Sequence, residues 1–192
     1  KFSLSQDESI KMVVEKTGNV DLLNSLISHY TENGNSIDWT KVLFSAIKYG
    51  RAEIIESHFS DFAMNSTIDL QKDATSYVTY NPQKYLFHNM KSLCKRAEES
   101  KKDEKTLNYF NDKILAYKEC MKLIDESLYN RIEAKINAMI SNDDYSVMTA
   151  NTIGSTESRN TTNSMTDKSV ISFISALNTI ETELAGEVTI EN

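Results

Sequence analysis

Three histidines and two cysteines are the side chains of this 192-residue chain best suited to chemistry near neutral pH, and their spacing brings none of them together. His88 and Cys94 lie six residues apart, which on a helix turns them to different faces and excludes a nucleophile–base pair. A metal site needs three or four converging ligands, and His29, His58 and His88 have no partners at ligand spacing. The chain also holds no phosphate-cradling glycine loop, no His-Glu-x-x-His, no Cys-x-x-Cys pair and no nucleophile elbow. We therefore expect no enzyme, no metal and no cofactor. Cys94 and Cys120 fall on separate expected helices; if those form a hairpin turning near Lys102, the thiols are offset by roughly 15 Å along the axis. A disulfide needs Cα atoms within about 7 Å, so two free thiols are expected, as in a reducing cytosol. Cys120, beside the apolar seam at Met121, reads as buried and inert.

The charged residues suggest binding instead. Lys84, His88, Lys91, Lys95 and Lys102 are spaced to form one stripe on one helix face, in a chain whose net charge is −7. Such a stripe suits an anionic lipid surface or an acidic partner. The competing reading, and the favoured one, is a solvated face partnered by Glu98 and Glu99. One short basic element in an acidic chain argues against nucleic-acid binding.

The elements that must carry these residues are helices. With five glycines and one proline the chain has too few turn formers for a β-sandwich, and its short apolar runs cannot span a membrane. Within 12–62 one phrase occurs twice at a period of 32 residues: KTGNVDLLNSLISHY at 16–30 returns as KYGRAEIIESHFSDF at 48–62. Lys16, Gly18, Ser25 and Ser28 recur as Lys48, Gly50, Ser57 and Ser60, and Asp21-Leu22-Leu23 returns as Glu53-Ile54-Ile55. A fixed period in this range marks a repeat architecture. Each copy reads as helix, glycine turn, helix: Ile10, Val13 and Val14 precede Gly18 at helical spacing, and Leu22, Leu23, Leu26 and Ile27 follow it. One such pair cannot bury both its faces, so the pairs are expected to stack.

These residues resemble the ankyrin repeat. Leu43, Ala46, Gly50, Glu53-Ile54-Ile55 and Phe59 stand where that family places its leucine, alanine, turn glycine and Glu-Ile-Val-x-x-Leu-Leu run, and the first copy keeps Gly18, Asp21, Leu22, Leu23, Leu26 and Ile27. Neither copy has the family's Thr-Pro-Leu-His start, Val14 replaces the alanine, and the connection at 31–38 is long. The alternative is a helix pair of another kind. The resemblance implies a protein-binding module using the concave face and turn tips, here Trp39, Lys48, Tyr49 and Arg51, with Lys16 and Asn19 in the first copy. Packing between repeats is the competing role for Trp39.

A third, degenerate copy is expected to reach into 82–100, where Pro82 falls one period after Gly50 and Leu86-Phe87 fall where Ile54-Ile55 lead. Asn81-Pro82 reads as a helix start. From 104 to 140 the chain reads as its longest helix, about 55 Å. Leu107, Phe110, Ile114, Tyr117, Met121, Ile124 and Leu128 form three heptads, slipping by four residues to Ile132, Ile136 and Met139. Either the C-terminal segment covers that helix or a second copy does, through the 107–128 heptads. Between 141 and 166, 15 of 26 residues are Ser, Thr or Asn, so a loop is expected. Asp167 then caps a helix carrying Val170, Phe173, Ile174, Leu177, Ile180 and Leu184, ended by Gly186.

The last residues, with Glu181, Glu183, Glu187 and Glu191, look like the glutamate-bearing C-terminal signal of bacterial type IV secretion effectors, many of which carry degenerate ankyrin repeats. An acidic helix end is the competing reading. The whole is an all-α chain, with ankyrin-like repeats over 1–80 and a helical domain over 81–192. It is expected to bind a protein, as a cytoplasmic chain or, if an effector, in the cytosol of a host cell. A membrane-surface role, or service as the non-catalytic part of a larger host-modifying enzyme, is the alternative.

Overall fold

The structure is a computed structural model that describes residues 5–59, 65–100, 103–150 and 161–188. It is helical apart from one two-stranded sheet among the described residues. Helix α1 (Gln6–Met12) begins on a capping box in which Ser5 and Glu8 satisfy each other's backbone N–H groups, and it runs on as a π-helical turn, Val13–Thr17. Gly18, at φ 65°, ends that turn, and Asn19 starts α2 (Val20–Glu32). The second copy repeats the plan with α3 (Trp39–Tyr49), capped by Asp38, then Gly50 at φ 69°, then α4 (Ala52–His58). Both turn glycines sit in the left-handed region, where a side chain is strained. The repeated phrase therefore encodes two helix pairs, and they stack with α1 beside α3 and α2 beside α4.

Beyond the second copy the chain departs from the 32-residue period. The stretch that follows contains strands β1 (Ile68–Gln71) and β2 (Tyr77–Tyr80), paired antiparallel from Ile68 opposite Tyr80 to Gln71 opposite Tyr77. Asp73 closes their turn by accepting from the backbone N–H groups of Thr75 and Ser76 at 3.0 and 2.9 Å. The sheet stands where the first helix of a third copy would begin, so no third helix pair forms. Helix α5 (Pro82–Glu99) starts as expected, with Asn81 accepting from the Lys84 N–H at 2.8 Å.

The single helix expected over 104–140 is two helices, α6 (Glu104–Ile124) and α7 (Glu126–Ala150). Asp125 separates them. Aspartate favours a cap over a helix interior, and its carboxylate accepts from Gln83 Nε2 at 2.9 Å. The four-residue slip in the apolar seam marks this break. Phe110, Ile114, Tyr117, Met121 and Ile124 of the heptad run are buried within the one chain, with Leu107 and Leu128 half-buried. Most of the stretch expected as a loop at 141–166 is also helical: α7 reaches Ala150 and α8 (Thr161–Val188) begins six residues before Asp167, the remainder lying outside the described residues. No glycine or proline stands in 126–150 or 161–166, so helices once started can propagate through Ser, Thr and Asn. Gly186 likewise lies within α8 and does not end it; one helical glycine costs about 1 kcal/mol.

The chain divides into two compact units. The first joins Lys1–Met90 to Leu115–Asp125, with a core that includes Val14, Leu23, Ile47, Ile55, Leu86 and Met121. The second joins Lys91–Ile114 to Glu126–Asn192 around Leu93, Ile132, Phe173, Leu177 and Ile180. In the second unit Glu183 of α8 pairs with Arg131 and Lys135 of α7 at 3.1 and 2.6 Å, which makes the two helices antiparallel.

Candidate functional site

The turn glycines bring five of the six expected partner-binding residues to one end of the stacked helix pairs. Arg51, in the turn after α3, reaches back to the first copy: Nε donates to the Val14 carbonyl at 2.9 Å and an Nη to the Glu15 carbonyl at 2.6 Å. Carbonyls at a helix end have no partner within the helix, so the guanidinium satisfies two of them. It lies against Gly18, where a Cβ would stand 2.7 Å from Arg51 Cδ. A side chain there would make the Arg51 guanidinium shift, in addition to the backbone strain. The sequence places Arg51 at a partner-facing tip; its hydrogen bonds instead join one copy to the next.

The second copy is capped by the same device from another residue. Tyr117 of α6 donates its hydroxyl to the Lys48 carbonyl at 2.7 Å, and a Cβ on Gly50 would come within 2.9 Å of Ala116 Cβ. Each glycine turn is thus closed by a side chain from the element that packs against it.

Around this core the remaining tip residues are exposed or half-buried. Lys16 pairs with Glu15 at 3.3 Å, and Glu15 also accepts a hydrogen bond from the Tyr49 hydroxyl. Burial, with Glu15 second, pushes the Tyr49 phenol up; the Lys16 ammonium and then Tyr49 hold the Glu15 carboxyl below its usual value. The Lys48 ammonium sits 5.6 Å from the centroid of the Tyr49 ring. Asn19 uses its side chain locally, accepting from the Leu22 N–H at 2.7 Å as the cap of α2. Trp39 is not with the group. It opens α3, an 11-residue helix about 15 Å long with Tyr49 at its other end. Its indole packs 5.4 Å from His58 and 6.0 Å edge-on from Phe59, leaving it 40% exposed.

A cleft of about 260 Å³ lies beside the tip cluster, between α1 and α3. Its floor is Ile10, Val14, Val42, Phe44 and Tyr85, all buried, with Phe44 and Tyr85 in edge-to-face contact at 5.1 Å. Charged side chains ring its mouth, and nothing in the sequence pattern points to it, because each floor residue also reads as ordinary core.

The basic stripe is largely engaged. Lys84 sits 5.8 Å from the Tyr80 ring centroid, and the His88 ring 5.2 Å from the same ring. Lys91 pairs with Glu181, and Lys95 with Glu99 at 3.9 Å. Lys102 lies outside the described residues. Of the glutamates read as a secretion signal, Glu181 and Glu183 are ion-paired, and Glu191 lies outside the described residues.

The cysteines are free and buried, and desolvation pushes both thiols up to about 12, with Glu98 adding to the shift of Cys94 and Glu119 to that of Cys120. Among the described residues no group of three His, Cys, Asp or Glu side chains could hold a metal ion. No helix there is long and apolar enough to cross a membrane. No protein-family profile, no curated protein and no solved structure matches the chain.

Proposed function

We propose that the stacked helix pairs are a protein-interaction module whose contact surface is the turn-tip group, with Lys16 and Lys48 as its charges and Tyr49 as its aromatic contact. One observation carries this reading. Arg51 and Tyr117 satisfy the turn carbonyls from within, which fixes the backbone at the tips while Lys16, Lys48 and Tyr49 stay accessible. A rigid base under exposed side chains lowers the ordering cost of binding. Aromatic and basic side chains are the usual anchors of such contacts.

An affinity pull-down from a eukaryotic lysate tests it. We expect a protein retained by the intact chain to be lost from a Lys16→Glu, Lys48→Glu variant and kept by Trp39→Ala, because Trp39 stands at the other end of α3. Retention by the charge-reversed variant, with its circular dichroism unchanged, removes the tips as the site.

A further inference from the structure

One edge of the β1–β2 hairpin is unpaired and carries none of the usual guards. The Lys72 N–H donates to the Ser76 carbonyl at 2.9 Å, and in the same register Leu70 faces Val78 and Ile68 faces Tyr80. Hydrogen-bonded pairs alternate along an antiparallel ladder, so these three are the bonded ones. The backbone groups of Tyr77 and Thr79 therefore point away from β1, and among the described residues no backbone hydrogen bond reaches them. Both residues are exposed, Tyr77 at 66%. Proteins block open strand edges with a lysine, a proline or a bulge. Here no residue from 74 to 83 is charged, the one proline stands beyond the strand at Pro82, and the register runs without a bulge. The β1 edge, in contrast, carries Asp69, with Lys72 just past its end.

We propose that β2 pairs antiparallel with β2 of a second copy of this chain, joining two hairpins into a four-stranded sheet about a two-fold axis through Val78. The ladder fixes that register. Both members of a bonded antiparallel pair must present outward groups, so Tyr77 faces Thr79 of the second copy and Thr79 faces its Tyr77. Each pair exchanges two N–H···O bonds, and within the strand only the register about Val78 uses both residues. On the exposed face each pair sets an aromatic ring beside a β-branched side chain, and on the other face the two Val78 side chains meet in a closely spaced non-bonded pair. Charge selects both the occupant and the edge. Beside its own copy β2 opposes no like charges, whereas β1 paired about Leu70 brings two Asp69 carboxylates to one face. With β1 guarded in this way, pairing stops at a closed dimer. A contact one short strand long, about 13 Å, buries less than the roughly 1,200 Å² of a stable complex, so the dimer is weak.

Amide hydrogen exchange of the full chain by NMR, read against protein concentration from roughly 0.05 to 1 mM, tests this. Across that range the Tyr77 and Thr79 N–H groups should slow about threefold as the dimer fills. Those of Asp69 and Gln71, on the other edge, should not change, and that of Val78, held by β1, should be slow throughout. Tyr77→Pro removes an outward N–H and no bond to β1, at a position where an edge strand accepts proline. It should make the chain sediment as a monomer at 1 mM, a concentration on the order of that needed for so small a contact. Gln71→Pro makes the same change directly across the hairpin, on the β1 edge, and should leave the dimer in place. A monomer at every concentration overturns the proposal. So does exchange at Tyr77 and Thr79 that ignores concentration, or a dimer that the two proline variants weaken equally or not at all.

Discussion

Replacing Gly18 by alanine should cost far more than the strain of one left-handed residue, and the excess should vanish when Arg51 is removed first. At φ 65° an alanine costs about 1 kcal/mol. The new Cβ would stand 2.7 and 2.8 Å from Arg51 Cδ and Nε, so the guanidinium must move away from the Val14 and Glu15 carbonyls. Those two bonds, from a charged donor at 2.9 and 2.6 Å in a half-buried setting, together contribute about 2–3 kcal/mol. Gly18→Ala should therefore destabilise the first unit by about 3–4 kcal/mol, and Arg51→Ala by about 2–3 kcal/mol. In the Arg51→Ala background only the backbone strain remains, so Gly18→Ala should then add about 1 kcal/mol, a coupling of about 2–3 kcal/mol. Urea unfolding followed by fluorescence reads this directly, because Trp39, the one tryptophan, lies in the same unit as the clamp. If Gly18→Ala costs the same in both backgrounds, or Arg51→Ala costs under about 0.5 kcal/mol, the clamp does not stabilise the stack.

Two other outcomes concern buried titrating groups. With both thiols pushed up to about 12, the thiolate fraction near pH 8 is on the order of one in ten thousand, so the folded protein should react with a disulfide reagent far more slowly than the urea-unfolded chain; rapid labelling of the folded protein would refute this. Burial against Trp39 lowers the His58 pKa below its ordinary 6.5, so on acidification through that value the unfolded chain takes a proton that the folded one resists. Stability to urea should fall between about pH 7.5 and about pH 5.5, and His58→Gln should flatten that slope; an unchanged slope assigns the dependence to other groups.

The parts of the fold legible in the sequence are those whose signal is local. Gly18 and Gly50 announce positive φ because few other residues adopt it, and Asn81-Pro82 marks a helix start because proline fits only the first turn. The break at Asp125 is hidden because heptad spacing is blind to a one-residue interruption without glycine or proline, and only the slip from Leu128 to Ile132 hints at it. The hairpin does carry a local signal: Tyr77, Val78, Thr79 and Tyr80 are strand formers with alternating exposure. The long-range contacts have none. Nothing near Arg51 says that its side chain ends on carbonyls 36 and 37 residues earlier, or that Tyr117 caps a carbonyl 69 residues earlier. The cleft is invisible for the same reason, since its floor draws on α1, α3 and α5.

The relay of caps also sets an order of assembly. The first helix pair borrows donors from Arg51, and the second borrows its donor from Tyr117, so neither is finished by residues of its own. A chain growing from its N-terminus holds bare turn carbonyls until α6 has emerged, and water must serve them in the meantime. Completion follows synthesis: the first turn can close once Arg51 has emerged, and the second only with Tyr117. This is a high-contact-order closure built onto otherwise local helices, and it ties the stability of the second pair to a segment synthesised 69 residues later.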